Sequence, residues 1–489
     1  MSPYPALSER VRVTRLRAAV VTCVLAGGLA GVALGLGWTL LAVVPVAIAF
    51  VFLLSESRTA PYGVVLLAVC TFVWWGAYPR VGPAAVPVSL VEVVLLVCVA
   101  ASVLRWPLDR LGVAVRDRTD IVLVCVVVAA SVGGILVAVL RGTSVTNVLV
   151  WLESPLYYVS IVPAVVALAS LQSRKRIALF ALGLAVVMAI VQVAQVIVGL
   201  ERPLFYVGGF QDLIMTEPGI GMLRVRSPGL TLVYIAVAFA LASLVWGPPK
   251  QRAWSALVFA LTGAGVLTSL NRNMALGMIA GFLVAIAFAR RRTRGVLVLI
   301  VAAVALLGTL IFLGGETSSP ITKRFVGSLT ESSAIVETLA DREYETAYAI
   351  ATLEREPLTG VGWGASYGAR ISPNPLNVDY AEARQWLHNQ YLYVWLRTGI
   401  VGLFAVLALL ARTVLAGARW SRRATDGSGW VGLGLVIAVV AIGASSLVGF
   451  YLTDADSVVP LAGLLALGFV LRNSDKSSLF ESVESGSAK

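Results

Sequence analysis

The chain is built of long apolar runs separated by short polar breaks. Runs bounded by charge, proline or glycine fall near residues 18–36, 38–54, 62–78, 88–104, 121–140, 148–170 and 177–199. Seven more fall near 229–246, 254–270, 274–289, 295–314, 389–417, 430–452 and 457–471. Runs of this kind match the roughly 20 residues that a helix needs to cross a hydrocarbon core of about 30 Å. Lipid offers no partner for backbone amides, so apolar segments satisfy them internally, as helices. The pattern predicts an all-α polytopic transmembrane bundle of about 12–14 spans. Two longer polar segments interrupt it, 200–228 and 315–388. The second begins rich in Ser and Thr and then reads as a helix from about Ala334 to Arg355, with Tyr344, Tyr348 and Ala351 at helical spacing. Pro357 and Gly360 end it.

This gives an expected organisation along the chain. Residues 1–17 form a cytoplasmic tail and 18–314 a transmembrane bundle of about 11 spans, with an outer loop at 200–228. Residues 315–388 form a large extracytoplasmic loop, 389–471 the C-terminal transmembrane helices, and 472–489 a Ser-rich cytoplasmic tail read as disordered.

Composition excludes a water-soluble fold. Of 489 residues, 58% are hydrophobic and 13% charged, with a mean hydropathy of +0.89; soluble domains carry about 25% charged residues. Arg10, Arg12, Arg15 and Arg17 precede the first apolar run, which reads as a retained helix rather than a signal peptide because further spans follow. Cys23, Cys70, Cys98 and Cys125 all lie within apolar segments, where neither a disulfide nor a zinc site is expected.

The net charge of +12 raises the question of nucleic acid. Its distribution answers it. With the N-terminus inside, 25 of the 38 Lys and Arg residues fall in cytoplasmic segments, and the short outer loops hold only Arg80, Arg141 and Arg272. This is the positive-inside asymmetry of a multi-pass membrane protein with both termini cytoplasmic, and no nucleic-acid partner is needed to explain it. The remaining ten lie in the two long outer segments or at Arg397, so function is sought at the extracytoplasmic face.

One histidine occurs in the whole chain, His388, where the large outer loop turns into the next apolar helix. Imidazole exchanges a proton near neutral pH, so a general base is one reading. The other is an interfacial residue within the aromatic belt of Trp386, Tyr391, Tyr393 and Trp395. The glycine-rich stretch Pro357-Leu-Thr-Gly-Val-Gly-Trp-Gly364 lacks the Lys-Ser/Thr ending of a phosphate-binding loop. Asp454 and Asp456 could form a metal pair, but Asp456 or Ser457 as the cap of the last span is the favoured reading. Glu92 and Glu153 lie in apolar runs, as buried carboxyls or as a proton relay. Gly27, Gly31 and Gly35 make a packing face on the first span.

His388-Asn389, nine residues, then Gly399-Ile-Val-Gly402 resembles the signature of the O-antigen ligase and polymerase family of bacterial membrane glycosyltransferases. Gly360 and Gly362 stand in a stretch similar to that family's approach to the histidine, and the resemblance covers roughly residues 220–420. It implies a GT-C-like fold and a metal-independent, inverting glycosyltransferase without cofactor at the outer face of the bacterial cytoplasmic (inner) membrane. The implied donor is a polyprenyl-diphosphate-linked glycan and the acceptor a lipid or glycan hydroxyl. His388 is then the catalytic residue. Arg226, within Arg226-Ser-Pro-Gly229, and Arg272 correspond to the family's outer-face arginines that bind the diphosphate, with Arg224 and then Arg202 in reserve. Arginine suits that task because its planar fork pairs bidentately with phosphate and stays protonated. The chain departs from the family's pattern at Asn271 and Asn273, which flank Arg272, and at Arg397, where a glutamate is common.

Two functions outside ligation remain expectations. A surface-polysaccharide polymerase would use the same donor chemistry, and a transporter or flippase for a lipid-linked glycan would draw on Glu92 and Glu153. A transporter is expected to show an internal repeat and midplane polar groups, and the sequence shows no evident repeat.

Overall fold

A computed structural model describes residues 90–105, 118–145, 147–148, 157–168, 171–198, 214–216, 223–225, 229–269, 271–289, 332–367, 387–424, 427–453 and 455–486. The expected spans at 18–36, 38–54, 62–78 and 295–314 lie outside the described residues, as do Cys23, Cys70, Glu153, Arg202, Arg226, Trp386 and Asp454.

The described chain is all-α apart from one small ribbon. In order the helices are α1 (Leu90–Arg105), α2 (Arg118–Leu140), α3 (Ile161–Leu168, entered through a 3₁₀ turn at Tyr158–Ser160) and α4 (Leu171–Val198). Strands β1 (Ile214–Thr216) and β2 (Leu223–Val225) pair antiparallel, with Met215 opposite Arg224. Then come α5 (Leu230–Trp246), α6 (Pro249–Thr268), α7 (Arg272–Phe288), α8 (Ser332–Arg355), α9 (Gln390–Arg423), α10 (Gly429–Ser445) and α11 (Ala455–Gly486).

Among the described residues, three helices are long and apolar enough to cross a membrane: Arg118–Leu140, Arg176–Val198 and Gln390–Arg423. Five shorter apolar helices accompany them: Tyr158–Leu168, Leu230–Trp246, Asn273–Phe288, Gly429–Ser445 and Ser457–Asn473. The protein is a multi-pass membrane bundle. Lipid removes the hydrophobic drive between helices, so close packing rests on small residues and interhelical hydrogen bonds. The α7–α10 contact shows this, because a Cβ on Gly277 would lie 2.3 Å from the Ala441 carbonyl oxygen and 2.2 Å from Ser445 Oγ. Tyr234 of α5 reaches the same point, 3.2 Å from Ser445 Oγ.

α9 is the central element, packing on α2, α10 and α11. Away from His388, the bundle is tied by a buried charge cluster. Asp120, at the start of α2, is paired with Arg412 Nε of α9 at 2.6 Å and with Arg472 of α11. Arg472 also donates to the Arg412 carbonyl at 2.7 Å.

Two boundaries and one buried stripe differ from the expectation. The run at 430–452 is helical only to Ser445, and residues 446–453 form turns closed by local bonds such as Val448 N to Ser445 O at 3.2 Å. α11 runs through Gly486 where a disordered tail is expected after Arg472, and between Arg472 and Gly486 no proline or glycine interrupts the helix. The buried stripe of α8 is shifted by one position. Ala349 and Leu353 are buried, while Tyr344 is 45% exposed and Ala351 faces outward.

Candidate functional site

The site is organised by a break in α9. Gly399 takes φ +71° and ψ 179°, an extended left-handed-side conformation that interrupts the helix. The bond that Ile400 N–H would have made to the Leu396 carbonyl one turn earlier is lost, and both groups are freed. The glycine-rich stretch takes up both. Ile400 N donates to the Leu358 carbonyl at 3.3 Å, and the Leu396 carbonyl accepts from Val361 N at 2.7 Å and Gly362 N at 3.1 Å. The two motifs therefore form one joint.

Glycine is required there by space and by conformation. A Cβ on Gly399 would stand 2.1 Å from the Leu358 oxygen, and one on Gly360, at φ +64°, 2.3 Å from the Leu396 oxygen. Gly362 lies against Gly134 of α2, and Trp363 N donates to the Gly134 carbonyl at 3.3 Å. Gly402 makes room for the Thr398 side chain and for Ala130 of α2. Arg397 is fully buried. Its Nη1 donates to the Gly362 carbonyl at 2.8 Å and to that of Ala365, and its guanidinium lies 4.9 Å from the Tyr393 ring centre. The arginine that departs from the family's pattern thus fastens the glycine-rich stretch to α9.

This joint holds His388 just before the first turn of α9. Asn389 caps the helix, its Oδ1 accepting from Tyr391 N at 3.1 Å and Leu392 N at 3.2 Å. Gln390 is buried, its backbone N–H donating to the Ser446 carbonyl at 2.9 Å and its side-chain oxygen accepting from Thr453 Oγ1. The His388 side chain is 33% exposed and faces two elements. From α8, Glu345 Oε2 lies 2.8 Å from His388 Nδ1 and accepts from the His388 backbone N–H at 3.4 Å. From the 446–453 turns, the Phe450 ring lies 5.0 Å from the imidazole, centre to centre, tilted by 46°.

α8 is seated over this end of the bundle. Ala349 and Leu353 share a buried apolar cluster with Leu387, Tyr393, Leu396, Val361 and Trp363. Beyond its end, Glu356 pairs with Arg141 after α2 at 2.7 Å.

The same turns reach the start of α7. Asn271 caps α7, its Oδ1 accepting from Asn273 N at 3.1 Å. Its amide nitrogen donates to Tyr451 Oη at 3.1 Å. A Cβ on Gly449 would come 2.4 Å from the Asn273 amide nitrogen. Gly449, Phe450 and Tyr451 thus touch His388 on one side and the residues flanking Arg272 on the other. Arg272 is the first residue of α7, and Arg224 lies in β2 opposite Met215. The Gly229 of Arg226-Ser-Pro-Gly229 takes φ +74° and opens α5.

Residues 257–407 match a family model described as O-antigen ligase. Over this segment the chain is similar to the O-antigen ligase family. The match contains Arg272, Glu345, Gly360, Gly362, His388, Asn389, Gly399 and Gly402, and it leaves Arg224, Arg226 and the 446–453 turns outside. No curated protein matches the chain.

Two residues at His388 escaped the sequence reading. Glu345 sits one turn before Ala349 and two before Leu353, and a carboxylate on a buried helical stripe was a readable signal. Phe450 was hidden inside an apolar run, and no local pattern separated it from the span.

Proposed function

We propose that the protein moves a glycan from a polyprenyl-diphosphate carrier to an acceptor hydroxyl at the outer face of the bacterial cytoplasmic membrane, as an O-antigen ligase-like enzyme. The observation that carries this reading is that His388, half-buried and held on a carboxylate, shares the Gly449–Tyr451 turn with the start of α7 at Arg272. In this reading residues 315–388 form the large outer loop, and both termini lie inside.

His388 accepts the proton of the acceptor hydroxyl as that oxygen attacks the anomeric carbon. The bond from the anomeric carbon to the diphosphate oxygen breaks, and the electron pair leaves with the carrier diphosphate. Direct displacement inverts the anomeric configuration. Arg272 and Arg226, with Arg224 in reserve, hold the diphosphate and offset the charge that grows on it. The amino end of α7 adds its partial positive charge beside Arg272. Charge compensation by arginines supplies what a metal ion supplies elsewhere, so the proposed step calls for none. α8 closes over the acceptor and keeps water from competing.

The test is the pool of lipid-linked glycan in membranes of cells carrying wild-type protein or His388→Ala at matched levels. Accumulation of the donor with loss of mature surface glycan supports transfer. An unchanged pool and unchanged surface glycan contradict it. A ligase leaves single glycans on a terminal acceptor and a polymerase leaves longer carrier-linked chains, so the product's linkage separates the two. A transporter would instead be blocked by Glu92→Gln or Glu153→Gln with His388 dispensable.

A further inference from the structure

We infer that Glu345 is a positioning residue that fixes His388 as its Nδ1–H tautomer and so presents Nε2 as the free basic nitrogen. Its role in turnover rests on the reading of His388 as a base, whereas the tautomer rests on the contact with the Glu345 carboxylate. An ionised carboxylate can only accept hydrogen bonds. At 2.8 Å from Glu345 Oε2, Nδ1 must therefore carry the hydrogen. Among the described residues, no hydrogen bond reaches Nε2. The Glu345 side chain is 11% exposed, so the contact is sheltered from competing water.

The arrangement serves a base in two ways. It points one nitrogen outward with its lone pair available, and it places a negative charge where the imidazolium forms once the acceptor's proton has moved to Nε2. The carboxylate comes from α8 and the imidazole from the start of α9, 43 residues apart. The base is therefore complete only when Ala349 and Leu353 seat α8 against Leu387 and Leu396. Phe450 packs on the ring and restricts its rotation.

The single histidine makes the test direct. With ¹⁵N-histidine labelling of the full chain in detergent, one imidazole gives the only ring signals, and their shifts at alkaline pH report which nitrogen is protonated. The expected result is Nδ1–H in the wild-type protein and a change to Nε2–H, the form that an unconstrained side chain prefers, in Glu345→Ala. Wild-type protein with Nε2–H would overturn the inference, whatever the protein transfers. In a transfer assay Glu345→Gln, which keeps the size and loses the charge, is expected to lower kcat by about tenfold or more with KM unchanged. Equal kcat in Glu345→Gln and wild type would remove the role in turnover. Unchanged transfer in His388→Ala would instead defeat the reading of the base while leaving the tautomer result in place.

Discussion

Gly399 shows how one residue without a side chain joins two motifs. Its positive φ releases the Leu396 carbonyl and the Ile400 amide, and the glycine-rich stretch binds both. Gly399→Ala is expected to be among the most damaging small changes in the chain. The strained φ costs on the order of 1–3 kcal/mol, and the new Cβ meets the Leu358 oxygen at 2.1 Å. The variant should show a lowered thermal midpoint in detergent and lost transfer, and a wild-type midpoint would contradict this joint. The spacing from His388 to Gly402 was legible because histidine occurs once and the two glycines sit at fixed distances from it. The meaning of Arg397 was not. A charged residue within an apolar helix reads as a departure from pattern, and only the carbonyls of Gly362 and Ala365 show what its guanidinium satisfies.

At the scale of elements, the charged sites near opposite ends of α2 are expected to behave differently. Asp120 is 1% exposed at its side chain and meets Arg412 and Arg472. Asp120→Asn leaves two guanidinium groups facing each other in a sheltered site, a change that typically costs about 3–5 kcal/mol. Arg141 and Glu356 are 37% and 39% exposed, so Arg141→Ala should cost less than about 1 kcal/mol. Thermal unfolding of the two variants in one detergent checks the contrast, and equal losses would contradict it. The helices themselves were largely readable, since α2, α4, α5, α7 and the start of α9 fall where the apolar runs predict. The turns at 446–453 were not, because Leu447, Val448, Phe450, Tyr451 and Leu452 are as apolar as a span. What ends the helix at Ser445 is tertiary: Gln390 N–H takes the Ser446 carbonyl, and Tyr158 Oη takes that of Leu452 at 2.7 Å.

For the whole molecule, the apolar bundle holds a polar constellation at one end, drawn from segments far apart in sequence. Glu345, His388 and Phe450 meet from α8, the start of α9 and the turns after α10, and the same turns reach α7. Composition and charge distribution made the membrane class legible, and the motif made the resemblance to O-antigen ligases legible. The convergence was not legible, because it depends on how α7, α9 and α10 pack. The proposed chemistry is tested most directly by supplying purified polyprenyl-diphosphate-linked glycan and an acceptor to the purified protein in detergent, and measuring glycan transfer for wild type, His388→Ala and Arg272→Ala. Transfer by the wild-type chain and its loss in both folded variants is the result expected. Transfer by His388→Ala at the wild-type rate would contradict the assignment of the base, and with it the proposed mechanism.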